Sequence, residues 1–178
     1  RICDITVIKC KNYTHQTRYQ LPIPPSPNLP NMKSIYLYPS TCFFEATPVS
    51  LGRGTSLPFQ VYGHPNMTGY NYSFTPRSIP GAKNPPQLNK LCHGVNLSNM
   101  SYEEIWKRGV DLTYVIDAYR NLNLDDHFFR PFFELLVGRN YVRKMIKEGK
   151  SADEIKAMWK GDVEKFKAQR KPYLLYEE

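Results

Sequence analysis

Proline placement constrains this chain more than any other feature. Nearly all of its fifteen prolines fall within residues 1–100, and the rest of the 178-residue sequence is almost free of them. Proline fixes φ and lacks an N–H, so it interrupts helices and central strands alike. The first hundred residues are therefore expected to be short strands joined by stiff loops. The β-prone runs are Ile2 to Lys9, Ser34 to Tyr38, Phe59 to Tyr62 and Gly69 to Phe74. The densest proline stretch, Pro22 to Pro30, fits either a rigid loop within the fold or a polyproline ligand for a partner.

From residue 101 the apolar spacing becomes helical. Ser101-Tyr102-Glu103-Glu104 has the Ser-x-x-Glu form of a capping box, and Ile105, Trp106, Leu112, Val115, Ile116 and Tyr119 then predict one helix to about Leu122. Shorter helices are expected around Phe128 to Val137, stopped by Gly138, and around Asn140 to Glu148. Ser151-Ala152-Asp153-Glu154 repeats the capping signal and opens a last helix with Ile155, Met158, Trp159, Val163 and Phe166 on one face, ended by Pro172. The predicted fold class is α+β: one domain over residues 1–178, a proline-rich β-sheet half (1–100) with three or four α-helices (101–178) packed on it.

The net charge of +8 favours anionic partners such as nucleic acid, anionic lipid or acidic glycans. The lysines after residue 146 alternate with Glu148, Asp153, Glu154, Asp162 and Glu164, as on a solvated helix face. No apolar run approaches the roughly 18 residues that cross a bilayer. The opening Arg1 to Ile8 reads as a strand already under way, and a preceding segment is expected. Cys3 and Cys10 point to opposite faces of one strand, while Cys42 and Cys92 are either bridged or buried thiols. The four histidines, 15, 64, 93 and 127, have no metal-ligand spacing, so no metal is expected.

The residues with chemical potential cluster between positions 36 and 55. Glu45 is the only glutamate in the first hundred residues and follows Phe43-Phe44. An apolar setting raises a carboxyl pKa toward that of a general acid, whereas a structural Glu would bond loop amides. Arg53 stands between Gly52 and Gly54, a pattern that brings a guanidinium fork close to a ligand carboxylate or buries it against loop carbonyls. Dinucleotide fingerprints, phosphate loops, zinc helices and nucleophile elbows are absent.

Together these blocks resemble the NamZ-type exo-β-N-acetylmuramidases, a family formerly known as a domain of unknown function. The resemblance runs through Pro25-Ser26-Pro27-Asn28-Leu29-Pro30, Tyr38-Pro39-Ser40-Thr41-Cys42-Phe43-Phe44-Glu45, Gly52-Arg53-Gly54-Thr55, Phe74-Thr75-Pro76, Leu91-Cys92-His93-Gly94-Val95 and Arg170 to Tyr176. Ser40, Ala46, Leu51 and His93 depart from the family pattern, and Leu51 removes a second acidic site candidate. The resemblance implies an auxiliary C-terminal domain whose Rossmann-like N-terminal partner, absent here, carries the principal catalytic glutamate. It implies as substrate a peptidoglycan-derived muramyl sugar, expected to be cleaved in a cleft between the two parts, in the bacterial periplasm or outside the cell. The reaction needs no cofactor and no nucleic acid, and the fragment alone is expected to be inactive.

Within that frame Glu45 is the catalytic candidate. Arg53 is expected to grip the lactyl carboxylate of muramic acid. Asn28, Tyr38 and Thr55 serve as neutral donors to the sugar, Ser26 and Thr41 as further contacts, and Phe44 as a stacking surface. Two rival classes stand beside this reading: a non-catalytic glycan-binding or scaffolding module, and a nucleic-acid-binding domain prompted by charge alone. Steep salt dependence of binding to DNA would mark the latter.

Overall fold

The computed structural model describes residues 3–176. Six α-helices and a small three-stranded antiparallel sheet make an α+β fold. In chain order they are α1 (Met32–Thr41), β1 (Val61–His64), β2 (Tyr72–Phe74), β3 (Cys92–Asn96), α2 (Tyr102–Arg108), α3 (Thr113–Leu122), α4 (Phe133–Val137), α5 (Tyr141–Lys147) and α6 (Ala152–Arg170). β3 lies between β1 and β2, with Gly63 opposite Gly94 and Phe74 opposite Cys92.

The segment Ser34 to Tyr38, expected as a strand, is the body of α1. Asn31 caps that helix, accepting from Ser34 N at 2.9 Å, and the buried side chains Ser34, Leu37, Ser40 and Thr41 recur at helical spacing. Burial on one helical face outweighs the β preference of Ile35, Tyr36 and Tyr38. The expected strand Ile2 to Lys9 is not formed in residues 3–9, which are exposed and carry no regular structure; Ile2 lies outside the described residues. The runs at Phe59 and Gly69 do contribute strands β1 and β2.

In the second half, the helix expected over Ser101 to Leu122 is two helices. Gly109 takes φ +60°, which ends α2, and the turn through Asp111 restarts the chain as α3. Ser101 caps α2 and Ser151 forms a full capping box with Glu154 on α6, as the sequence predicts. The apolar stripe of α6 enters the core only at its start. Ile155 is buried, whereas Met158 and Phe166 are 58% and 61% exposed. Lys150 pairs with Glu154 at 3.0 Å and Lys167 with Glu164 at 2.9 Å, so these lysines do lie on a solvated face.

One core joins the two halves. Leu37, Phe44, Phe59 and Tyr62 from the first pack with Val115, Phe128, Phe133 and Ile155 from the second. Burying each such side chain stabilises by roughly 1.5–3 kcal/mol. At the edge of this core the half-buried Asp117 of α3 accepts from the hydroxyls of Tyr62 and Tyr70, each at 2.8 Å. Burial, followed by the Asp117 charge, pushes the Tyr62 phenol far above its usual range, and burial with the Asp117 hydrogen bond raises Tyr70. All four cysteines are free. Among the described residues no helix is long and apolar enough to cross a membrane.

Candidate functional site

The last turn of α1 runs directly into a 3₁₀ turn, Cys42–Ala46. This continuity places Tyr38, Cys42 and Glu45 at i, i+4 and i+7, on one side of the rod. Opposite them, residues 50–57 form a tight loop. Gly52 and Gly54 both take φ +80°, and a Cβ at either would lie 2.5 Å from the Leu57 carbonyl oxygen or 2.3 Å from that of Arg77. Only glycine fits there. The loop is fastened to β1 by Ser50 and Gly63, which exchange backbone bonds of 2.8 and 2.9 Å, and to residue 77 by an Arg77 N to Gly54 O bond of 2.8 Å.

Arg53 projects from this frame and donates to Glu45. The guanidinium carbon lies 5.2 Å from the centre of the Phe59 ring, which also meets Tyr38 at 5.1 Å. Phe59 itself is 1% exposed. The ion pair nonetheless reaches the surface, with Arg53 37% and Glu45 21% exposed in their side chains. Arg53 Nε–H is buried without an acceptor. A guanidinium already oriented by one carboxylate and stacked on a ring has its remaining N–H groups held in a fixed plane.

The neighbours respond to this charge. Burial, then the Glu45 and Cys42 charges, pushes the Tyr38 phenol above its ordinary value, partly offset by Arg53. Burial and then Glu45 push the Cys42 thiol up to about 11. Cys42 is therefore protonated at neutral pH and is no nucleophile. The site thus offers a guanidinium and a phenol as donors and a single carboxylate as acceptor, which suits recognition of a polar anion.

The other expected contacts divide. Ser26 Oγ accepts from Asn28 N at 3.2 Å within the 26–29 turn, and Asn28 Nδ2 donates to Gly81 O at 2.9 Å, fastening that turn to the loop at residues 79–82. That loop follows Arg77, which is joined to Gly54. Thr55 is half-buried, its hydroxyl donating to Gly52 O at 2.7 Å and accepting from Leu57 N at 3.0 Å; it shapes the arginine loop. Two expectations are corrected. Phe44 is 1% exposed and stacks on Tyr62 at 4.8 Å, so its ring is core and offers no face to a sugar. Thr41 is fully buried and donates to Leu37 O at 3.0 Å, leaving no hydroxyl for a ligand.

Sequence reasoning gave Cys42 and Phe59 no part in the site. Reading residues 34–38 as helix would have exposed the i, i+4, i+7 series that includes Cys42. Nothing in the sequence announces that Phe59 adopts φ +59°. Cys42 also lines a groove of about 670 Å³ together with Trp159, Val163 and Phe166 of α6; Glu45 and Arg53 are not among its lining residues. Among the described residues no three His, Cys, Asp or Glu side chains are grouped to hold a metal ion.

Comparison with known proteins matches residues 36–176 to the family described as "Exo-beta-N-acetylmuramidase NamZ, C-terminal". The chain is 32% identical over 192 residues to the peptidoglycan β-N-acetylmuramidase NamZ of Bacillus subtilis, covering 97% of this chain and 46% of that protein. It is 82% identical, with a TM-score of 0.98, to a crystal structure of a DUF1343 family protein from Bacteroides fragilis, spanning all of this chain and 50% of that one. A second DUF1343 structure from Bacteroides fragilis shares the fold at 20% identity and a TM-score of 0.61, over 87% of this chain and 45% of that one. The chain thus spans about half the length of the relatives it matches.

Proposed function

Because the chain belongs to the family of NamZ exo-β-N-acetylmuramidase C-terminal domains, we propose that it builds one wall of the cleft of a peptidoglycan hydrolase that releases terminal N-acetylmuramic acid. The other half of the protein supplies the facing wall. The observation that carries this reading is the meeting of Arg53 and Glu45 at the surface, 37% and 21% exposed, in a loop shaped by two glycines.

Muramic acid differs from glucosamine by a lactyl ether that ends in a carboxylate. Arg53 is the group for that anion, through the N–H groups not engaged by Glu45. Tyr38, 37% exposed and kept neutral, donates to a sugar oxygen. Asn28 and Ser26 shape the rim, and their free lone pairs meet the ring hydroxyls. Glycoside hydrolysis ordinarily uses two carboxyl groups about 5–9.5 Å apart. Glu45 is one, and its partner belongs to the other half. A peptidoglycan substrate puts the whole protein in the cell envelope or outside the cell, in the periplasm or secreted.

The test is Arg53→Ala in the full-length protein. Losing a charge-assisted contact lowers kcat/KM on muramic-acid termini by roughly 10- to 100-fold, with little change on glucosamine-terminated analogues. Equal losses on both substrates would remove carboxylate recognition. The alternative of a non-catalytic glycan-binding module draws on one observation, that Glu45 is neutralised by Arg53. It requires Glu45→Gln to leave turnover unchanged.

A further inference from the structure

Residues Asp4-Ile5-Thr6-Val7-Ile8-Lys9 have the composition of a strand and none of its bonds. Ile5, Val7 and Ile8 are 77%, 54% and 91% exposed, and no backbone hydrogen bond joins residues 3–9 to any other described residue. The segment is nevertheless anchored immediately afterwards. Cys10 N donates to Tyr176 Oη at 2.9 Å, and the Tyr13 ring meets that of Tyr176 edge-on at 4.9 Å. It therefore leaves the body of the domain from a fixed point.

Its side-chain pattern specifies the environment it suits. In an extended chain Ile5 and Val7 project to one face and Asp4, Thr6 and Ile8 to the other. The polar residues Asp4 and Thr6 are confined to one face, and the consecutive Val7 and Ile8 put an apolar side chain on each, so this end of the strand suits a covered setting. The sheet β1-β3-β2 does not receive it. The match to the C-terminal family begins at residue 36, leaving this segment outside it. The 82% identical relative has twice the length that this chain covers.

We propose that residues 4–9 are a strand of a sheet in the other half of the full-length protein, where Ile5, Val7 and Ile8 are covered. The strand ties the two halves together by backbone hydrogen bonds as well as by burial of Ile5, Val7 and Ile8. This inference is independent of which reaction the protein catalyses.

Hydrogen–deuterium exchange on the full-length protein tests it. The amides of residues 5–8 are expected to exchange roughly 100-fold or more slowly than a random coil, as paired strands do. Exchange at the random-coil rate overturns the proposal. So does protection that disappears on dilution together with a dimer, since the occupant would then be a second copy. Ile8→Asp is expected to lower the thermal midpoint of the full-length protein, while Ile23→Asp, at a residue 75% exposed in the proline-rich loop, leaves it unchanged. Equal midpoints for the two variants count against insertion. Should Ile8→Asp fail to accumulate, exchange on the unmodified protein still decides.

Discussion

The backbone N–H of Asp111 donates to Ser40 Oγ at 2.9 Å, and the same hydroxyl donates to Gly109 O at 3.1 Å. One buried side chain of α1 thereby satisfies both sides of the break between α2 and α3. The break brings the second half of the chain against the helix that carries Tyr38. Ser40→Ala leaves that N–H and carbonyl without their partner and is expected to destabilise by about 1–3 kcal/mol. Urea denaturation of the variant checks the value.

Asp111 gives the protein an acid limit. Burial raises its carboxyl, but bonds from the Thr113 hydroxyl and backbone and from Arg108 lower it further, for a net shift below the ordinary 3.8. A carboxylate depressed in the folded state stabilises above its unfolded value, and the contribution is lost as pH falls through the folded one. Stability is expected to decline below about pH 4. Asp111→Asn should be less stable at pH 7 and lose less between pH 5 and pH 2, as measured by thermal midpoints across pH.

Two glycines with the same backbone angle separate conformational cost from steric cost. Gly69 takes φ +81° with nothing within 4 Å of an added Cβ, whereas the Cβ of a residue at 54 would sit 2.3 Å from Arg77 O. Gly69→Ala is expected to cost about 1–2 kcal/mol, the price of a left-handed alanine. Gly54→Ala should cost more and displace Arg53, so that in the full-length protein it weakens muramic-acid substrates as Arg53→Ala does. Equal stability losses at the two positions would refute the close approach.

Cys42 reports on Glu45 without any substrate. With its thiol pushed up to about 11, alkylation at pH 7.5 is slow, and its rate climbs with pH as the thiolate forms. Removing the neighbouring negative charge in Glu45→Gln lowers the thiol pKa and accelerates the reaction. The assay uses a chain in which the exposed Cys3 and Cys10 are serine, followed by mass spectrometry of the Cys42 peptide.

Local signals with short range were legible in the sequence. Ser101 and Ser151 marked helix starts because a capping hydroxyl and its glutamate lie three residues apart. Gly138 marked a helix end, with its φ of +69°. Ser34 to Tyr38 misled because aromatic and β-branched residues suit a strand, while the deciding contacts, Leu37 in the core and Ser40 on residues 109–111, come from far along the chain. At the site, Glu45 and Arg53 were recognisable by residue type and glycine flanks. Their pairing was not, since it depends on a 3₁₀ turn and a loop meeting across Phe59. Adjacent phenylalanines look alike in sequence, so nothing local told that Phe44 faces inward onto Tyr62.

Asp117 holds one tyrosine from β1 and another from the loop before β2 by the same oxygen. Sliding α3 along the sheet would break both bonds together, so the helix and the strands move as one body. If this domain walls the cleft as proposed, a surface fixed in this way meets a sugar already in shape, and little ordering entropy is left to be lost on association.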